Sequence, residues 1–210
     1  LDTDGLLGVD LTVLADHITR GGLTDMIWQQ EPELILWFVS ANGELIGLTY
    51  DRANGTVGWH GHKLGGDGVV ESITAIPSGA EDQVYLSIKL TINSTTVRHI
   101  VFLKSINFGT DVADAFFVDS GLTYSGSATT TITGLNHLEG ETVQILADGS
   151  AHADKTVSGG SITLDRSATK AHIGLGFTSF VKTLRLEAGA NDGTSQGKIK
   201  RIHGVTARFL

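Results

Sequence analysis

LILWFVSANGELIGLTYDRANGTVGWHGHK, residues 34–63, decides the fold, because three runs of apolar, β-branched and aromatic residues are separated by Asn42-Gly43 and Asn54-Gly55. Glycine adopts positive φ freely and asparagine tolerates it, so such a pair between apolar runs favours folding one strand back on the next. The chain carries six Asn-Gly or Asp-Gly pairs, the others being Asp4-Gly5, Asp67-Gly68, Asp148-Gly149 and Asp192-Gly193. An antiparallel all-β protein is expected.

Working outward, the predicted strands of the first half are Leu34 to Val39, Glu44 to Tyr50, Val57 to Lys63, Val69 to Ile76, Val84 to Thr91 and Val97 to Leu103. The turns between them (Ser40 to Gly43, Asp51 to Gly55, Leu64 to Gly68, Pro77 to Asp82, Asn93 to Thr95) are too short for parallel crossovers and predict a meander of propeller-blade character. Before Pro32, Leu11, Leu14, Ala15 and Ile18 follow the helical spacing, with Asp10 as the expected cap and Gly21-Gly22 as the end of one short N-terminal helix.

Ser105 to Ala113 breaks the rhythm, and the composition then shifts towards Thr, Ser and Gly. Two domains are expected, 1–112 and 113–210, the second a small β-sandwich or barrel. Its predicted strands are Thr129 to Thr133, Thr142 to Leu146, Lys155 to Val157, Ser161 to Leu164, Ala171 to Phe177, Val181 to Glu187 and Ile199 to Phe209, with Asn191 to Lys198 as a polar loop.

Composition narrows the function. Fifteen Lys and Arg against twenty-three Asp and Glu leave a formal charge of −8 over 210 residues, which disfavours tight binding to a phosphate backbone, so no specific nucleic-acid partner is expected. The short basic run Lys198, Lys200, Arg201 reads as a solvated strand edge that discourages unwanted pairing. No cysteine is present, which removes disulfides and thiolate metal sites. No apolar run reaches the roughly 18 residues of a membrane-spanning helix. The chain begins at Leu1 and stops within the apolar run Val205 to Leu210, so a fragment of a longer protein is expected.

Histidines are the first candidates for chemistry. In Trp59-His60-Gly61-His62 the two imidazoles project from one face of a strand, but a zinc site normally needs three or four protein ligands, and His99 or Glu71 would have to arrive by folding. A place in a strand interface or on its surface is the simpler reading, and no metal or other cofactor is expected. His17, His137, His152, His172 and His203 are scattered, without a HExxH-type motif. Among carboxylates, Glu71, Asp82, Asp119 and Glu139 are formal candidates for glycoside hydrolysis, although Asp82, Glu139 and Glu141 sit at turns. Ser120-Gly121 and Ser158-Gly159 read as turns in the absence of a GxSxG elbow, and Gly65-Gly66-Asp67-Gly68 lacks the ending of a phosphate loop. No catalytic residues are assigned and no enzyme is expected. Trp28, Trp37 and Trp59, with Tyr50 and Tyr85, offer either core anchors or a sugar-stacking platform; Trp37 lies in an apolar run, which leaves Trp28 and Trp59 as the ligand-stacking candidates of a carbohydrate-binding module.

The residues also carry a family resemblance. Trp28-Gln-Gln-Glu-Pro32, the stretch LILWFVSANGELIGLTYDRANGTVGWHGHKLGGDGVVESITAIP and the Asp82 to Phe102 strand pair resemble a pattern in large virion-associated proteins of bacteriophages and prophages. DAFFVDSGLTYSGSATTTITGLNHLEGETVQILADGSAHADKTVSGGSITL, then HIGLGFTSFVKTLRLEA and KIKRIHGVTARF, look like the C-terminal part of those proteins. The resemblance covers nearly the whole chain, and GL-Thr-Tyr…GWH…DG-Val with GLNHLEG-x-TV…ADG is its most distinctive pairing. It implies a tail structural component, similar to the tubular or nozzle proteins of short-tailed phages. It also implies assembly in the host cytoplasm, residence in the virion, and other copies of itself and other tail proteins as partners. A receptor-binding tail protein with a carbohydrate-binding module, meeting a host-surface glycan, is the alternative. For a conduit wall, the acidic balance would limit sticking to passing DNA.

Overall fold

Local turn chemistry sets the hairpins. Asp148 and Gly149 both take positive φ (46° and 73°) between the paired residues Ala147 and Ser150, as a two-residue type I′ turn requires. Asn93-Ser94 does the same (46° and 62°) between Ile92 and Thr95 without a glycine. Asn54-Gly55 sits in a wider loop closed by the Asp51–Thr56 pair, because the Asp51 carboxylate accepts hydrogen bonds from the backbone N–H groups of Ala53 and Asn54 (3.0 and 3.1 Å).

The computed structural model describes residues 8, 10–13, 15–182, 199, 201 and 203–206. Residues up to Thr178 belong to one compact unit; among the described residues of Ser179–Leu210 none lies in a helix or strand. The expected strands Val181 to Glu187 and Ile199 to Phe209, the 191–198 loop, Asp4-Gly5, Asp192-Gly193, Leu14, Lys198 and Lys200 fall wholly or mainly outside the described residues.

The all-β expectation holds, with three antiparallel sheets. The first contains β1 (Leu23–Gln29), β2 (Ile35–Ser40), β3 (Leu45–Asp51) and β4 (Thr56–His62) in that order; the second contains β5 (Val69–Ser78), β6 (Glu81–Ile92) and β7 (Thr95–Phe102). The third contains β8 (Asp119–Thr133), β9 (Thr142–Ala147), β10 (Ser150–Thr156) and β11 (Ser161–Leu175), ordered β10-β9-β11-β8. Among the described residues the third sheet stays open, with β10 and β8 at its edges, so no barrel closes there and the arrangement is sandwich-like.

Several expectations need correction. Leu64 to Gly68 is not a hairpin: it carries the chain from the first sheet to the second through a 3-10 turn at Gly65–Asp67, and Val70 N–H bonds back to Gly43 O at 2.8 Å. β1 lies outside the expected strands, and the expected strands Ser161 to Leu164 and Ala171 to Phe177 merge into one long strand that ends at Leu175 and whose irregular register absorbs the polar residues between. The helix shrinks to one turn, α1 (Asp16–Thr19), with Ala15 at its N-cap. Asp10 does not cap it: its carboxylate accepts from Thr12 N and Oγ1 (2.8 and 2.7 Å), a local turn that competes with helix initiation.

Period-two alternation gives the first sheet two different faces. Ile27, Trp37, Gly47 and His60 form one cross-strand row, and Trp28, Leu36, Leu48 and Trp59 form the next, on the opposite face. On the Trp37 side, Ile35, Trp37, Val39 and Leu45 join a hydrophobic cluster that runs through Leu86 and Leu90 of the second sheet to Ile132, Val143 and Ile173 of the third. On the other side, Phe38, Ile46 and Leu48 form a smaller cluster covered by Leu11, Ile18 and Trp59. The position near residue 112 separates sheets, since among the described residues no strand before it pairs with one after it, yet the larger core crosses it. Gly65 N–H donates to the Asp119 carboxylate (2.6 Å) and Asn93 N–H to Glu141 (3.2 Å), which tie the two parts further.

Candidate functional site

The strongest concentration of ring nitrogens lies on β4. Strand alternation puts His60 and His62 on one face, and their rings meet: His60 Nδ1 and His62 Nε2 are 2.6 Å apart and the ring centroids 4.9 Å. Antiparallel pairing sets Gly47 of β3 opposite His60, and a Cβ there would lie 2.1 Å from His60 Cε1, so only glycine leaves room for this ring. Thr49 Oγ1 is 3.1 Å from His60 Nε2, the buried Trp37 indole packs edge-on to His60 (5.8 Å), and it lies tilted against His62 (5.2 Å). Desolvation of the ring nitrogens against each other and the Trp37 indole lowers the proton affinity of both imidazoles, and His62, whose outer side is exposed, also feels the charge of His60. Both rings are therefore neutral near pH 7. His99 does not reach this pair. It packs against His137 at 6.0 Å, and Glu71 forms a two-point ion pair with Arg98 (2.8 and 3.1 Å). Among the described residues no group of three or more His, Cys, Asp or Glu side chains converges as a metal cage.

The carboxylate candidates do not converge either. The Asp82 side chain accepts from Gln30 and Glu31 N–H (2.8 and 3.2 Å), and Glu139 accepts from Gly159 and Gly160 N–H (2.9 and 2.7 Å), clamping the turn that opens β11. Asp119 holds Gly65, and burial raises its proton affinity against the opposing effect of that hydrogen bond. Each is committed to the backbone of its own fold. The Ser120 hydroxyl is buried, with no hydrogen-bond partner among the described residues, so it is not placed to attack a substrate. An open groove of about 610 Å³ runs past Asp111, Asp148 and Lys170, but Asp148 is saturated by Thr169 and Lys170 N–H and by the Thr169 hydroxyl, while Lys170 pairs with Asp114.

Trp28 and Trp59 share a face but stand at opposite ends of their row, about 14 Å apart at the usual strand spacing, with Leu36 and Leu48 between them. Trp59 stacks on Phe38 (5.5 Å, 22°) and its indole N–H donates to Leu11 O (2.8 Å), the arrangement of a covered anchor. Trp28 is 39% exposed, opposite Leu36. The two indoles do not make one stacking platform.

His172 of β11 is a structural histidine that the sequence did not mark. Its Nε2–H donates to Ala113 O (2.9 Å), its Nδ1 takes the Thr123 hydroxyl (2.9 Å), and Phe116 packs edge-on at 5.3 Å. Burial lowers its proton affinity; the nearby Lys170 and Lys104 act in the same direction, and Asp114 and the Ala113 carbonyl act against it. The unfolded chain protonates this ring near the ordinary value of 6.5, whereas the folded ring stays neutral to lower pH. Its contribution to stability is therefore complete above that value and is lost as pH falls below it. The thermal midpoint is expected to drop less between pH 8 and pH 5 in His172→Gln than in the unsubstituted chain, as read by circular dichroism melts (pH range chosen to bracket the histidine titration).

No protein-family model matches the sequence, and no curated protein matches it.

Proposed function

We propose that this chain is a structural module of a phage or prophage tail that works by packing against copies of itself and other tail proteins, without catalysis. The observation that carries the reading is the outer side of the second sheet. There β7 is an edge strand, and its outward row includes Ile100 (74% exposed) and Phe102 (46% exposed). Phe102 packs beside Tyr85 (5.9 Å), and Ile76 on β5 adds a further exposed apolar side chain (52%). Among the described residues no strand pairs with the far edge of β7. An edge with unpaired N–H and C=O groups beside exposed apolar side chains favours strand addition by another chain, and a second copy offers the same strand in antiparallel register. The engagement of every candidate carboxylate in the protein's own backbone or ion pairs supports the non-catalytic part.

Sedimentation across a concentration series tests the packing. The chain is expected to associate as concentration rises, and Ile100→Lys, which adds a charge at an already exposed position, is expected to shift the association constant down by about tenfold or more without moving the melting temperature. A chain monomeric at every concentration would remove the observation on which the reading stands. Immunogold electron microscopy of virions carrying the gene tests the tail assignment itself, with label expected on the tail. Sugar retention on a glycan array, lost in Trp28→Ala, would favour the carbohydrate-binding alternative instead.

A further inference from the structure

We propose that His60 and His62 form a chelate for a divalent copper-type ion on the edge strand β4, with Thr49 as the residue that orients the first ligand and Gly47 as its seat. This goes beyond the architectural role and does not depend on it.

The geometry of the pair sets the argument. Two imidazole nitrogens bound to one ion at about 2.0 to 2.1 Å stand about 2.9 Å apart when the ligands are at a right angle, and about 3.3 Å apart when they are tetrahedral. His60 Nδ1 and His62 Nε2 lie 2.6 Å apart in a mutual hydrogen bond, a few tenths of an ångström short of the right-angled spacing, and ion binding requires the exposed His62 ring to turn so that both lone pairs meet at the ion. Tetragonal coordination by nitrogen and oxygen is the preference of Cu²⁺ and Ni²⁺, and Cu²⁺ binds a given nitrogen site most tightly among the common divalent ions.

Thr49 supplies the outer support that metal-bound imidazoles usually have. When His60 Nε2–H donates to Thr49 Oγ1, 3.1 Å away, the lone pair is fixed on Nδ1, the atom facing His62. Without an ion, His62 Nε2–H fills that lone pair. With an ion, the His62 ring proton moves to its own Nδ1 and Nε2 becomes the second ligand, so both imidazoles stay neutral and no net proton is released. Gly47 holds the first ring in place: an added Cβ would meet His60 Cε1, Nδ1 and Nε2 at 2.1, 2.6 and 2.9 Å. His62 is exposed at the strand edge, which gives an ion access and leaves room for water to fill the remaining coordination positions. The Trp37 ring, 5.8 and 5.2 Å from the two imidazoles, is a built-in reporter, because bound Cu²⁺ quenches a neighbouring indole.

The experiment is a titration of the full, tag-free chain with CuCl₂, followed by tryptophan emission and by the electron paramagnetic resonance spectrum of the bound ion. Saturable quenching at one ion per chain is expected, with nitrogen hyperfine structure from two imidazoles. His60→Ala and His62→Ala should each abolish the saturable phase, and Thr49→Val should weaken it by about tenfold while leaving both ligands in place. Gly47→Ala should weaken it too; circular dichroism confirms that each variant is folded, and His62→Ala, at an exposed position, keeps the test valid if another variant is not. Absence of saturable quenching in the unsubstituted chain, or quenching unchanged in His60→Ala and His62→Ala, overturns the proposal. Tighter binding of Zn²⁺ than of Cu²⁺ overturns the right-angled assignment.

Discussion

Ile173→Ala is expected to lower the stability of the whole body by about 3 kcal/mol, the middle of the range for truncating a fully buried aliphatic side chain. Ile173 is 0% exposed in β11, opposite Leu122 of β8 and Ile145 of β9, so no solvent-facing movement can refill the space. For a body of this size that loss corresponds to a fall of roughly 6 to 12 °C in the thermal midpoint. Because Ile173 belongs to the same cluster as Leu86 and Leu90 of the second sheet, one cooperative transition should move as a unit. Differential scanning calorimetry reads this directly. Two transitions, with only the later one shifted, would mean that the parts on either side of residue 112 fold separately.

Gly174→Ala is the second large effect, with the opposite sign of volume change. A Cβ at this position would lie 2.6 Å from Asp119 O and 2.8 Å from Gly121 Cα, both of them backbone atoms of β8 that cannot rotate aside. Relief requires β8 to move away from β11 just where Asp119 ties it to Gly65, and a loss of about 2 to 3 kcal/mol is expected, as for other overpacked interiors. Chemical denaturation of the variant should show a lower midpoint with an unchanged slope. An unaffected midpoint would mean that the close approach of these strands has slack that the geometry does not display.

Much of the strand content was legible because it follows from local rules. Asp148-Gly149 and the turn at Asn93 reverse the chain where their side chains tolerate positive φ, and the alternation of Val84, Leu86, Ile88 and Leu90 gives the buried side of β6. What escaped has identifiable causes. β1 places Ile27 on one face and Met26 and Trp28 on the other, so its apolar residues do not alternate. The first part of β8 is written in small polar residues from Ser120 to Ser127, among which Leu122 and Tyr124 alone reach the core. At Leu64 to Gly68 the chain leaves one sheet for another, with Val70 N–H bonded back to Gly43 O, a long-range pairing that turn chemistry does not encode.

The same division runs through the candidate site. Period two put His60 and His62 together. Their companions depended on register: a two-residue turn at Asn54-Gly55 pairs Thr49 with His60, whereas the Asp51 carboxylate widens the loop and brings Gly47 opposite instead. Trp37 is buried, as its apolar run implies, and its ring edge also lines the imidazole pair. The turn positions of Asp82 and Glu139 are readable in the sequence, whereas the backbone N–H groups that these carboxylates accept from are set by folding, and Glu139 is the clearest case.

The interior shared by the three sheets also bears on how such a gene can change. Recombination that joined the codons for residues up to 112 to a foreign continuation would strip Leu86, Leu90 and their neighbours of their cover and leave an oily surface where Ile132 and Ile173 had been. Shuffling is therefore expected to trade this body as one piece, with successful crossovers falling outside the stretch from Ile35 to Leu175.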